Sequence, residues 1–383
     1  MKSDQVSPRK NKNVTREVVI VGGGLAGLTS AILLRRLGHD IVLIEKKEYP
    51  FHRVCGEYIS NEVRDFMDSN GLLPEIELPK ISRFALSSVR GKTSHTDLEM
   101  GGFGISRFSL DNHLFKLAVK EGVEVLQENV QSIQFTNEVF QIATREREIT
   151  ARICIGAFGK RANLDQALER PFFKKRSPYI GVKYHVKADH PIDLIALHNF
   201  EGGYCGVSQV EGGITNLCYL SKRENLKKHG EIGEMEKEIL HKNPELKRLF
   251  TESEFLWEKP EVINEISFEM KQPVENHILM CGDAAGMITP LCGNGMAMAI
   301  HGAKILSEKV NRFLEHNMNR HEMEFSYEMQ WQALFRNRLW FGRQVQRLFG
   351  NQSLSNFSVR LINYVKPLSR MIIKGTHGKE LIT

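Results

Sequence analysis

No two cysteines in the chain are spaced as C-x-x-C, and no cysteine–histidine spacing suits zinc. Cys55, Cys154, Cys205, Cys218, Cys281 and Cys292 are therefore expected to be reduced thiols. Long apolar runs are missing as well. The most apolar late stretch, Ile278 to Ile300, is broken by Asp283, Asn294 and several glycines, which excludes a membrane-spanning helix there. Residues 1–16 are polar and basic with no apolar core, so they read as a disordered arm and not as a signal peptide. Charge of one sign is scarce: the net charge is +6 over 383 residues, with no basic stripe interleaved with aromatics. No nucleic-acid partner is expected. There is no internal repeat, no Ser/His/Asp triad and no paired carboxylate. What remains is a globular composition, 41% hydrophobic and 26% charged, long enough for two domains. The expected location is the cytoplasm.

The organising stretch is Val18 to Gly27, Val-Val-Ile-Val-Gly-Gly-Gly-Leu-Ala-Gly. Branched apolar residues predict a buried strand, and Leu25 to Leu37 predicts a helix. Between them Gly22, Gly24 and Gly27 match G-x-G-x-x-G in its required context. The glycines allow a tight turn, close backbone approach to a pyrophosphate, and close helix–strand packing. The N–H groups opening the helix then face the diphosphate. Asp40 to Ile44 reads as the next strand and ends in Glu45, where a carboxylate can bind a ribose hydroxyl.

Further on, Ser60 caps a short helix ending near Gly71, and Ile81 to Val89 reads as a strand. Ser109 to Glu121 is a helix, followed by strands at Val123 to Leu126, Glu138 to Thr144 and Glu148 to Ile155. Period-two strands follow at Gly181 to Val186, Leu194 to Phe200, Tyr204 to Val210 and Ile214 to Leu220. A charged helix is expected from Ile232 to Leu249 and a strand from Val262 to Phe268. The strand His277 to Cys281 runs into Gly282-Asp283, then a loop, Pro290 to Gly295, and a long helix from Met296.

Three glycine-containing segments far apart in sequence, Gly22–Gly27, Gly282-Asp283 and Pro290–Gly295, need one explanation. Together they resemble the FAD-dependent hydroxylase and geranylgeranyl-reductase superfamily of the p-hydroxybenzoate-hydroxylase fold, from about Val18 to Leu306. The resemblance implies an α/β fold. A discontinuous Rossmann-type FAD-binding domain would span 17–80, 101–165 and 270–310. An inserted antiparallel β-sheet substrate domain would span 81–100 and 166–269, and a helical C-terminal region 311–383. It implies non-covalent FAD, held by Gly22, Gly24, Leu25, Ala26, Gly27, Glu45, Lys46, Arg53, Cys55, Gly56, Arg107 and Val130 on one side of the sequence. Gly282, Asp283, Pro290, Gly293, Asn294, Gly295 and Met296 complete that set. In the family the Gly-Asp carboxylate accepts a hydrogen bond from the ribitol. The following loop lies along the isoalloxazine, where N–H groups can stabilise negative charge on the reduced ring. Arg107 resembles an arginine near the FAD phosphates or ribitol. Cys55-Gly56-Glu57 resembles a Cys-Gly-Gly or Cys-Gly-Glu segment of the reductases and halogenases, with Cys55 read as a buried structural thiol. One departure is Phe158-Gly159, where the hydroxylases carry Asp-Gly, the aspartate of which helps bind FAD and NAD(P)H. With no second G-x-G-x-x-G, NAD(P)H would act as a transient reductant.

The first functional expectation is a monooxygenase acting on an aromatic or polyketide-like hydrophobic substrate through a flavin C4a-hydroperoxide. The alternative is a flavin-dependent reductase of isoprenoid double bonds. Gly203-Tyr204-Cys205-Gly206-Val207-Ser208-Gln209 lacks the tryptophan and proline of the matching reductase strand. A halogenase is the third reading: Lys80 stands roughly where that branch has its lysine, but the tryptophan segment is missing. Tyr184, His185, His198 and Tyr204 are pocket candidates, each weighed against a packing role. From Met329 onward aromatic and aliphatic residues alternate with arginine and lysine, and acids are almost absent until Glu380. This predicts either a helical cap, the preferred reading, or peripheral contact with the inner face of a membrane. The purified protein should be yellow and release FAD on denaturation. A protein carrying only a nicotinamide nucleotide, with no flavin absorbance after reconstitution, would contradict the reading.

Overall fold

The computed structural model describes residues 15–264, 266–347, 349, 378, 380 and 381. Residues 1–14 of the arm expected at 1–16 and the later basic stretch around 350–377 lie outside the described residues, and Arg16 belongs not to an arm but to the first strand, where it pairs with the neighbouring strand at Ala151.

Two sheets divide the chain. The first is built on β1 (Arg16–Val21), whose last four residues, all apolar, are at most 4% exposed. It pairs in parallel with β2 (Ile41–Ile44) and with β9 (Glu148–Gly156). Outward lie β6 (Glu124–Leu126) on one side and β17 (Ile278–Met280) with β16 (Val274–Glu275) on the other. A hairpin of β7 (Ser132–Thr136) and β8 (Val139–Ala143) extends β9. Parallel strands buried on both faces read as continuous branched apolar runs, which is why Val-Val-Ile-Val was legible.

Helices α1 (Leu25–Arg36), α3 (Arg107–Lys120) and α8 (Gly295–Leu314) flank this sheet, with α2 (Arg64–Ser69) and α4 (Asn163–Ala167) as short connections. Ser106 caps α3, its hydroxyl accepting the Ser109 N–H, so the helix starts two residues earlier than the sequence pattern predicts.

The second sheet runs β14 (Glu254–Phe255), β10 (Tyr179–Lys187), β13 (Ile214–Lys222), β12 (Gly203–Val210), β11 (Leu194–Phe200), β4 (Lys80–Ser87), β5 (Thr93–Gly104) and β3 (Tyr58–Ser60), with β15 (Glu261–Asn264) also on β10. It is antiparallel apart from the parallel pairing of β4 and β11. β5 is a twelve-residue strand that the sequence reading missed, because its first half is half-exposed and polar. The charged helix expected at 232–249 is broken. It forms α6 (Ile232–Ile239) and α7 (Pro244–Glu252), because Asn243 caps a new start with Pro244 at its first position. These helices and α5 (Arg223–His229) cover one face of the sheet through Val182, Tyr184, Leu217 and Tyr219.

α9 (Arg320–Gln346) closes the described fold. It buries Tyr327, Trp331, Phe335 and Leu339 against the core and exposes Phe325, Met329 and Trp340. Over these residues the preferred cap reading describes its packing. No described helix is long and apolar enough to cross a membrane.

The glycine turn depends on close approach. A Cβ on Gly27 would lie 1.9 Å from the Gly22 carbonyl oxygen, whereas one on Gly56 would meet nothing within 4 Å. Gly27→Ala is therefore expected to cost about 1–3 kcal/mol of stability, as other overpacked sites do. Gly56→Ala should leave the denaturation midpoint almost unchanged. Equal midpoints for the two variants would contradict this account.

Candidate functional site

The site grows from the turn after β1. Gly22 has φ 108°, and a Cβ there would come within 2.4 Å of the Ala157 carbonyl oxygen, so only glycine lets β1 and β9 meet at this point. Gly24 is the N-cap of α1 and offers no side-chain cap to the helix N–H groups. Those groups, and the positive end of the helix dipole, therefore suit an anion.

Glu45 sits at the end of β2. Its carboxylate accepts N–H bonds from Gly23 and Lys47 at 3.0 Å each and contacts Arg53 at 3.3 Å. Arg53 also pairs with Asp111 at 3.0 Å, and Asp111 holds Arg107 through two bonds of 2.7 and 2.8 Å. A bidentate arginine on a nearly buried carboxylate is geometrically fixed. Two guanidinium groups, bonded to one carboxylate, thus stand beside the turn.

These groups line one large cavity of about 740 Å³. It runs from the glycine turn past residues 52–57, Gly282-Asp283 and Pro290–Gly295 to the exposed face of the second sheet. Of the cofactor residues expected from sequence, all border the cavity except Gly27, which packs against Gly22 beneath the turn. Gly293 has φ 62° and Gly282 φ 63°, turns that bring backbone to the cavity edge. Behind Asp283, the Lys271 ammonium donates to the carbonyls of Asp283 and Lys160 at 2.7 Å each. Burial pulls its pKa down to about 8.

The pocket candidates separate by strand parity. Tyr204 borders the cavity. Tyr184 lies on the opposite face of the sheet, its hydroxyl donating to Glu236 at 3.1 Å. His198 also faces away, bonded to the Ser87 hydroxyl at 2.9 Å, and burial drags its pKa down to about 3. His185 has the right parity but is sealed from the cavity by Glu57, 2.6 Å away. Strand phase takes Tyr184 and His198 away from the cavity, and the Glu57 contact keeps His185 out of it. Lys80 is exposed at the start of β4 and does not border the cavity, which removes the residue that the halogenase reading needed.

Sequence reasoning missed the cluster at Glu57. This residue has φ 55° and a fully buried carboxylate. It accepts from the Lys183 ammonium, from His185 and from the Arg107 N–H at 2.8 Å. Burial pushes the carboxyl up, but Lys183 and His185 outweigh it and hold it below the usual range. Removing one partner of such a buried pair costs about 3–5 kcal/mol. The available signal was Lys183 itself, a lysine in the middle of a strand with mostly apolar neighbours.

The arrangement fits FAD. An uncapped helix start with flanking arginines suits the diphosphate, Glu45 the ribose, and the backbone turns at 282 and 290–295 a flat ring. The family described as FAD binding domain matches residues 15–320. Digeranylgeranylglycerophospholipid reductase 2 of Methanothermobacter thermautotrophicus is 26% identical, over 82% of this chain and 83% of that one. The reductase of Thermoplasma volcanium is 24% identical over 82% of each. Among solved structures, a geranylgeranyl bacteriochlorophyll reductase-like protein of Thermoplasma acidophilum superposes with a TM-score of 0.76 at 18% identity, covering 94% of this chain and 96% of that one. The flavin-dependent brominase Bmp2 gives 0.72 at 17%, covering 95% and 94%. Pseudomonas aeruginosa PqsL, a probable FAD-dependent monooxygenase, gives 0.73 at 15%, covering 90% and 99%. The last three likenesses establish the fold. Because the family match takes in both glycine-rich ends of the cavity and well over half of the sequence, the chain belongs to the FAD binding domain family of flavoprotein oxidoreductases.

Proposed function

We propose that the protein is an FAD-dependent reductase of carbon–carbon double bonds in an isoprenoid-like substrate. The observation that carries this reading is the chamber beyond the cofactor end of the cavity. The side chains that β4, β11 and β12 turn to it include Phe84, Leu86, Ile195, Leu197, Tyr204 and Ser208. None of them is charged near neutral pH, since burial pushes the Tyr204 hydroxyl well above its ordinary value. Such a wall gains free energy from hydrocarbon and offers no base to remove a phenol proton. The curated reductase relatives support the same substrate class.

Bound and reduced, FAD would supply a hydride. The chain supplies the rest: apolar walls to orient the double bond and exclude water, and a proton for the second carbon. Cys55 borders the cavity with its Sγ 3.4 Å from Met296 Sδ, and burial raises its pKa, so the proton stays on the sulfur. That makes Cys55 one group that can hold a proton there. NAD(P)H is the proposed electron source, by transient binding. Hydroxylation is the second reading, favoured by the Tyr204 hydroxyl in the chamber wall.

An anaerobic incubation of reduced, FAD-loaded protein with polyprenyl and aromatic candidates separates the two. The expected product is a polyprenyl compound two hydrogens heavier. A product carrying a new oxygen atom, formed only after air is admitted, would replace the reductase reading with the monooxygenase. Within the chamber, Leu197→Gln should raise the KM about tenfold or more, since an apolar contact surface is lost, while the FAD Kd stays constant. At the cofactor end, Asp283→Ala should weaken FAD by about 1.5–3 kcal/mol, the worth of a hydrogen bond to a charged group. Glu45→Gln, which keeps an acceptor, should weaken it less; equal Kd values would contradict this ranking.

A further inference from the structure

Residues 52–56 cross the cavity wall with no helix or strand of their own, yet three of their carbonyls are held by the second sheet. Lys183 on β10 donates to the Arg53 carbonyl at 3.2 Å. Asn216 on β13 donates to that of Cys55 at 3.1 Å, and Ser208 on β12 to that of Gly56 at 3.4 Å. All three donors belong to the second sheet and are at most 1% exposed. The peptides they hold are trans. A trans peptide sets its C=O and the next N–H on opposite sides of the chain. With the carbonyls of Arg53 and Cys55 turned to the sheet, the N–H groups of Val54 and Gly56 are turned to the cavity, which both residues line. Glu57 fixes the end of the run. Its left-handed φ of 55° is rare for a side chain of this kind, and it is held there by Lys183, His185 and the Arg107 N–H.

We propose that Lys183, Asn216 and Glu57 are positioning residues for the cofactor. They keep the Val54 and Gly56 N–H groups aimed into the cavity, where those groups stabilise the negative charge that FAD gains on reduction. Fixed backbone donors act most strongly in a site that excludes water, because they do not have to reorient as the charge appears. The sheet that walls the substrate chamber would then also set how readily the flavin is reduced. This rests on the FAD assignment and not on the choice between reduction and hydroxylation, and its test needs no substrate.

Asn216→Leu keeps the number of side-chain heavy atoms and removes the donor. Two quantities decide the matter: the Kd of oxidised FAD for the apo-protein, and the midpoint potential of the loaded protein against a reference dye. Reduced FAD should lose about three- to tenfold more affinity than oxidised FAD, the share of one hydrogen bond, seen as a lowered potential. The apo-protein denaturation midpoint serves as the control for stability. Asn216→Ala, which removes the same donor without adding bulk, should lower the potential likewise, and it carries the test if Asn216→Leu does not fold. An unchanged potential in the variant that folds, whatever its stability, would overturn the proposal and leave these contacts merely structural.

Discussion

The buried carboxylate of Glu57 is the interaction on which the site depends. It binds a lysine and a histidine from the second sheet and the first backbone N–H of α3. A lone buried charge would be very costly, so the three elements must meet in one geometry. From there a line of charged contacts continues. α3 presents Arg107, which grips Asp111; Asp111 grips Arg53, Arg53 touches Glu45, and Glu45 receives the Gly23 N–H. The second sheet is thus tied to the glycine turn by an unbroken series of polar contacts along one side of the cavity. The cofactor end and the substrate end are built as one piece.

Strand alternation does the rest. On β10, Tyr184 goes to the helical layer while Lys183 and His185 go to the cofactor loop. On β11, His198 bonds to Ser87 on the covered face while Leu197 lines the chamber. One sheet therefore serves a helix-covered core on one side and a cofactor loop with an apolar chamber on the other. Lys183, Asn216 and Ser208 are used in holding backbone, and the wall formed by β4, β11 and β12 is largely apolar, which suits a hydrocarbon ligand.

The sequence was most legible where the chemistry is local. Gly22 to Gly27, Glu45 and Gly282-Asp283 could be read because each turn or strand end carries its own constraint within a few residues. Glu57 and Lys183 are 126 positions apart, and nothing in either neighbourhood names the other. Strand phase was equally hidden: period two marks the strands holding Tyr184 and His198 but does not say which face meets the cavity. The break before Pro244 and the strand β5 were missed for different reasons. The Asn243–Pro244 start lies inside a stretch whose charged pattern runs on unbroken, and half of β5 has no apolar alternation to read. Lys80 shows the limit of carrying a position over by rough placement, since its strand start faces solvent.

The central claim is that a hydrocarbon binds beside the flavin within one continuous cavity. Titrating the oxidised, FAD-loaded protein with a saturated long-chain isoprenoid analogue, while following the flavin absorption bands, tests it most directly. The account predicts a saturable shift of those bands as water at the ring is displaced, weakened strongly by Leu197→Gln. Saturable binding with an unperturbed flavin spectrum, or with the same affinity in that variant, would contradict it.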